Sequence, residues 1–138
     1  MAAAGVVYTT DASGLRPMQL EGFFVDWPSP PSPERHLEVL RGSDHVVLAL
    51  ESGSRRVLGF ATAVTDGVLA AYIPLLEVLP DRQGQGIGTE LVRRLLEELR
   101  GFYMVDLICD EELEAFYRRF GMIPVRGMVL RDPDALDG

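Results

Sequence analysis

The chain has no lysine: all 13 of its basic residues are arginine, against 21 acidic residues, for a formal net charge of −8. That shortage of positive charge argues against nucleic acid or an anionic membrane surface as the main partner. It also removes the P-loop, whose lysine must reach the outer phosphates of a nucleotide. There is a single cysteine, Cys109, so no internal disulfide forms and a reducing cytoplasm suits the protein. The only histidines, His36 and His45, make no metal-ligand spacing, and no metal is expected. Both are read as solvated or packed rather than catalytic. Long hydrophobic runs are missing too. The longest uncharged apolar stretch, Gly67 to Leu76, is far short of the ~20 residues that span a bilayer. The start, Met1-Ala2-Ala3-Ala4-Gly5, lacks the basic and apolar regions of a signal peptide.

The 138 residues are read as one domain over 1–138, with no internal repeat or linker. Val6 to Thr9 reads as a strand and Leu15 to Val25 as a helix with Pro17 in its first turn. The proline-rich stretch Trp27 to Pro33 is a stiff loop. Ser32 is placed to cap a helix that opens with Pro33 and stops at Gly42. Strands follow over Asp44 to Leu50, Val57 to Thr65 and Val68 to Leu79, joined by the Ser52-Gly53-Ser54 and Asp66-Gly67 turns. Pro74, inside the last of these, lacks a ladder N–H and belongs at a bulge or an edge. A helix runs to Leu99, then a strand over Tyr103 to Ile108, in a connection that implies parallel pairing or a crossover. Asp110 is read as the cap of a helix with a Leu113, Phe116, Tyr117, Phe120 stripe, and Gly127 to Leu130 as a last strand.

The organising stretch is Val78-Leu79-Pro80-Asp81-Arg82-Gln83-Gly84-Gln85-Gly86-Ile87-Gly88-Thr89. An apolar strand ends at Pro80, three glycines alternate, and a helix opens with its first amide hydrogens free. Such a turn seats an anion, most often a phosphate or pyrophosphate. A dinucleotide site needs G-x-G-x-x-G and an acid at the end of the next strand. Here the spacing is G-x-G-x-G, and Asp106 lies inside its strand. The pattern [QR]-x-x-G-x-[GA] is met by Gln83, Gly86 and Gly88.

With Leu76-Glu77-Val78 before it and Phe116-Tyr117-Arg118-Arg119-Phe120-Gly121-Met122 after it, this stretch resembles the GNAT superfamily of acyl-CoA-dependent N-acetyltransferases, over roughly residues 44 to 130. The resemblance implies an α/β fold: a mixed central sheet with helices on both faces and a splayed strand pair at an acyl-CoA cleft. It implies acetyl-CoA as cosubstrate, with Leu76, Glu77 and Val78 beside the pantetheine and thioester, and the Val78 N–H toward the carbonyl. Gln83, Gly84, Gln85, Gly86, Ile87, Gly88 and Thr89 would hold the pyrophosphate. Pro74 is read as the cause of the strand bulge that opens the cleft; an edge strand without ligand is the other reading. Asp110 stands where relatives carry an Asn that contacts the pantetheine and is placed among the cofactor-binding residues, and Met122 replaces their Phe.

Tyr117 matches the family's general acid, although its periodicity alone reads as a core tyrosine. Positions from which relatives supply a base correspond to Tyr72, Pro74 and Val105. An amine of pKa ~10.4 is about one part in a thousand neutral at pH 7. A water relay from Tyr72, Glu77 or Asp26, or a less basic amine, would answer this; Glu77 points away from the Leu76 and Val78 face. Phe24, Asp26 and Trp27 are placed at the acceptor, a small-molecule or peptide amine, or else as caps on the core. The expected chemistry is direct attack in a ternary complex. The alternatives are an acyl-CoA-binding or sensor domain without turnover, and a fold relative holding another phosphorylated ligand. Edge strands near the C-terminus would let two copies pair as a homodimer.

Overall fold

The computed structural model describes residues 5–136; the reading of Met1 to Ala4 and the last residues, 137–138, lie outside the described residues. The elements run β1 (Val6–Thr9), α1 (Pro33–Gly42), β2 (His45–Glu51), β3 (Val57–Thr65), β4 (Ala70–Val78), α2 (Ile87–Glu98), β5 (Met104–Leu107) and α3 (Glu114–Arg118), with short 3-10 turns between them. The strands form one sheet in the order β1-β2-β3-β4-β5, antiparallel as far as β4, with β5 parallel to β4.

β3 is buried from Val57 to Ala63 without interruption, which requires cover on both faces of the sheet. On one face, Ile87, Leu91, Leu95 and Leu99 recur at helical spacing and pack on Val47, Leu58, Ala61 and Ile73. Each such side chain contributes about 1.5–3 kcal/mol by leaving water. Gly59 permits this contact: a Cβ there would come 3.0 Å from both the Glu77 carbonyl oxygen and Leu91 Cδ1. On the other face, α1 presses Leu37 and Leu40 onto Val46, Leu48 and Phe60. Its start is as expected, with Ser32 Oγ accepting from the Arg35 N–H at 3.1 Å and Pro33 opening the helix. The mixed sheet with helices on both faces is therefore present. No helix among the described residues is long and apolar enough to cross a membrane.

Three expectations are corrected. Leu15 to Val25 is not a helix: only Pro17–Leu20 forms a 3-10 turn, and Gly22 and Phe24 take positive φ (96° and 62°), as does Asp26 just beyond (68°), which a right-handed helix cannot contain. Asp110 supplies no side-chain cap; the segment begins as a 3-10 turn over Glu111–Leu113 and becomes α-helical only at Glu114. Gly127 to Leu130 forms no strand and joins no ladder among the described residues, because apolar residues make a strand only where a neighbouring ladder is in reach. Element ends also move. β4 starts at Ala70 because Asp66 Oδ1 accepts from the Val68, Leu69 and Ala70 amides, and α2 starts at Ile87.

His36, on α1, is 1% exposed, packs against the rings of Phe23, Phe24 and Phe60, and leaves both ring nitrogens unpaired. Burial lowers its pKa from 6.5 to about 4. The unfolded chain therefore takes up a proton near pH 6.5 that the folded chain refuses until about pH 4. Stability is full above the unfolded value and declines as pH falls through this window, by at most about 3 kcal/mol. A His36→Leu variant, of similar volume and without orphaned nitrogens, is expected to flatten this acid-side decline in urea melts. An unchanged slope would assign it to other groups.

Candidate active site

Gly84 and Gly86 take φ of 78° and 85°, a region costly to residues that carry a Cβ. They turn the chain so that α2 opens with Gly86 as its cap residue and no side-chain hydrogen bond capping its first turn. The first helical bond runs from the Glu90 N–H to the Gly86 oxygen at 3.1 Å. The amide hydrogens of Ile87, Gly88 and Thr89 therefore point out of the helix at the positive end of its dipole. This is the geometry of an anion seat. Gly88 is less constrained, since a Cβ there would meet only ordinary contacts, Val78 at 3.7 Å and Phe116 at 3.9 Å.

One cation at this seat was missed in the sequence. The Arg119 guanidinium donates to Thr89 Oγ1 at 3.4 Å and lies over the Phe116 ring at 5.6 Å. Arg82, inside the glycine turn, is engaged elsewhere, donating to Glu51 Oε2 at 2.9 Å. Gln83 turns its side chain inward, with Nε2 donating to the Val78 carbonyl at 3.1 Å. Its side chain anchors the turn to the strand, while Gln85 Oε1 accepts from Arg82 Nε at 3.3 Å.

The seat adjoins a gap in the sheet. Pairing of β4 with β5 ends at Ile73 opposite Leu107, so Pro74 to Val78 have no partner on that side. On the other side the β3 register shifts: Thr62 faces Leu75 and Val64 faces Tyr72, leaving Ile73 and Pro74 opposite Ala63 alone. This is a bulge on β4, and it contains the proline. The Leu79 N–H donates to the Leu58 oxygen of β3 at 2.9 Å. Backbone direction alternates along a strand, so the N–H and C=O of Val78 face the gap instead.

α3 abuts the first turn of α2 through Phe116, and Tyr117 lies beside it, ring to ring at 4.9 Å. Tyr117 is buried, and desolvation, followed by the nearby Cys109, pushes its pKa up to about 12. None of the hydrogen bonds among the described residues uses its hydroxyl. Cys109 has its own pKa raised, by burial and then by Glu114 and Asp110, so it stays a thiol and is a poor nucleophile. Asp110 is exposed, two residues past the end of the β5–Ile108 run.

Glu77 is on the opposite face of β4, and that face meets the loop around Phe24. The Phe24 N–H donates to both Glu77 oxygens, at 3.0 and 2.8 Å. Desolvation raises the Glu77 pKa, with the Phe24 and Val25 amides pulling it the other way. Phe24 itself is buried, packing edge-on against Trp27 at 4.9 Å and His36 at 4.8 Å. Trp27 is 44% exposed and Asp26 is exposed beside it. The structure thus brings Glu77, Phe24 and Trp27 together. Tyr72, five residues along the strand at ~3.3 Å per residue, is roughly 15 Å away, opposite Val64 and Asp106. Among the described residues no cluster of three His, Cys, Asp or Glu could hold a metal.

Residues 12–122 match the family model described as the acetyltransferase (GNAT) family. A crystal structure from Deinococcus radiodurans R1, provisionally described as an acetyltransferase, is 42% identical with a TM-score of 0.93, covering 100% of this chain and 98% of that one. The serotonin N-acetyltransferase 2, chloroplastic, of rice (Oryza sativa subsp. japonica) is 30% identical, covering 100% of this chain and 68% of that protein. The GCN5-related N-acetyltransferase 1, chloroplastic, of Arabidopsis thaliana is 29% identical over 97% of this chain, which spans 66% of that protein.

The left-handed turn is directly testable. A Cβ at Gly86 costs roughly 1–2 kcal/mol in this conformation. Gly86→Ala is therefore expected to weaken coenzyme A binding about tenfold in calorimetric titration, and Gly88→Ala much less. Equal losses would remove the conformational explanation.

Proposed function

Because this chain belongs to the acetyltransferase (GNAT) family, we propose that its glycine turn and split strand pair hold acetyl-CoA and that the acetyl group passes directly to an amine. The protein is an acetyltransferase. The observation that carries the cosubstrate assignment is the anion seat of Ile87, Gly88 and Thr89 opening beside strands that part after Ile73. On the unpaired edge the N–H and C=O of Leu76 and the N–H of Val78 are offered to an extended pantetheine arm, the Val78 carbonyl being taken by Gln83. We take the described residues as a single catalytic domain, and its lone cysteine suits the cytoplasm.

Acetyl-CoA supplies an acyl carbon activated as a thioester, with sulfur as the leaving atom. The Val78 N–H, turned into the gap, donates to the carbonyl oxygen as negative charge gathers there. Tyr117 keeps its proton at any physiological pH, so its hydroxyl donates a hydrogen bond to sulfur as the carbon–sulfur bond breaks. Complete transfer from a phenol of pKa about 12 to a thiolate whose acid lies near ~8.5 would be uphill by about 5 kcal/mol. Stabilising the thiolate by hydrogen bonding is therefore its role. Arg119 is added to the pyrophosphate contacts on the strength of its bond to Thr89.

The acceptor must lose a proton before it attacks. Glu77 is the base that local chemistry favours over Tyr72 and Asp26: its carboxylate is half-buried, has a raised pKa and faces the loop at residues 24–27. Asp26 and the half-exposed ring of Trp27 favour a cationic amine on a small molecule or peptide.

Release of free coenzyme A across a panel of amines tests the reaction itself; none with any amine would overturn it. Tyr117→Phe is expected to lower kcat on the order of 10²-fold while acetyl-CoA binding is kept. Glu77→Gln is expected to lower kcat comparably and to remove the acid limb of the pH–rate profile, since the carboxylate acts only when ionised. A retained acid limb would return the role to Tyr72 or Asp26.

A further inference from the structure

The α1 side of the sheet is not covered to its end. Leu37 and Leu40 of α1, with Phe24, close over β2 and β3, and of β4 only Leu75 packs against that cluster. Register places Glu77 opposite Phe60, Leu75 opposite Thr62 and Tyr72 opposite Val64, so these side chains share one face. Parallel pairing adds Asp106 of β5 opposite Tyr72. Its neighbours Val105 and Leu107 pack on the other face, with α2. Val64 and Tyr72 are exposed, and so is Asp106. They form one open row across three strands, next to the last pair before β4 and β5 part.

This row has the chemistry of a cation site. A phenol ring and a carboxylate stand side by side on an apolar floor, and a cation is drawn to both. Among the described residues no arginine or histidine is ion-paired with Asp106. A net charge of −8 favours the same sign of ligand. The row lies four β3 residues, about 13 Å, from the row that holds Glu77. Leu75, part-exposed, is the side chain of β4 between them. It offers no partner to the amides of a peptide, whereas a polymethylene chain needs none.

We propose that the acceptor is a linear aliphatic polyamine, held at its far end by Asp106 and Tyr72 while its near amine reacts beside Glu77. This rests on the reading of the cleft as an acetyl-transfer site and adds a second point of recognition to it. The methylene spacer lies over Leu75. The near ammonium gives one proton to Glu77 and attacks the acetyl carbon as the carbon–sulfur bond breaks. Its surplus proton goes to the departing sulfur, so coenzyme A leaves as the thiol. The far nitrogen is chemically unchanged and stays charged, since an alkyl amine of pKa ~10.4 is protonated at neutral pH. Only an acceptor with a second cation at the right distance gains from Asp106, so length and charge together set the preference.

Release of free coenzyme A is to be compared for diamines from ethylenediamine to decamethylenediamine and for monoamines of matching length. The longer diamines are expected to exceed their monoamines in kcat/KM by about five- to tenfold, the scale of an exposed ion pair with a ring contact. The gain is expected in KM, with kcat little changed, and to shrink at high salt. Asp106→Asn is expected to abolish the diamine advantage and leave monoamine turnover as it was. Asp106→Arg is expected to pass the advantage to ω-amino acids of the same length, whose far carboxylate it would pair. A diamine advantage missing at every length, one kept in Asp106→Asn, or a peptide amine preferred to every diamine would overturn this inference and leave acetyl transfer standing. No release from any amine would overturn both.

Discussion

The parting of β4 from β5 at Ile73 is the constraint on which the other features depend. A sheet ladder normally spends every backbone donor and acceptor within the protein. Here one proline and one extra residue on β4 break that rule over Pro74 to Val78. The break leaves polar backbone facing a gap, and directly beyond it the glycine turn leaves the first amides of α2 unspent. Two sets of free groups, one along a strand and one at a helix start, thereby line one continuous path. The proposed acetyl-CoA site rests on this pair of features. The two helical layers keep the path open by burying β3 on both faces, so that the neighbouring strands cannot shift to close it.

On the opposite face, strain and polarity are gathered at the loop around Phe24. Positive φ at Phe24 and Asp26 is unfavourable for residues with a Cβ, and the Glu77 carboxylate offsets it by accepting the Phe24 amide. Glu77 thus ties the loop to the strand that borders the cleft. Desolvation in this arrangement raises its pKa, and the same burial lowers that of His36 on the neighbouring helix. Both shifts have one origin, the loss of water around an ionisable group, and they act in opposite directions because one charged form is an anion and the other a cation.

Much of this was legible in the amino-acid order. Strand β3 over Val57–Thr65, the Ser32 and Pro33 helix start, the proline bulge and the glycine turn all follow from short-range stereochemistry, and each is where its residues place it. The Leu15 to Val25 segment misleads because its apolar spacing is helical while Phe24 is left-handed, with its N–H bound to a carboxylate far along the chain. Glu77 is 53 residues from Phe24, and Arg119 is 30 from Thr89. No pattern within a window of ten residues could announce either contact.

The sequence by itself determined which backbone conformations were open: where proline forbids a ladder bond, where glycine allows a left-handed turn, and which faces of β3 and α2 must be buried. Only the tertiary structure decided which charged groups meet, which way Glu77 and Gln83 turn, and that Gly127 to Leu130 find no ladder among the described residues. The physical reason is range. Steric preference acts between neighbouring residues, whereas hydrogen bonds and desolvation depend on whichever groups folding brings within a few ångströms of each other.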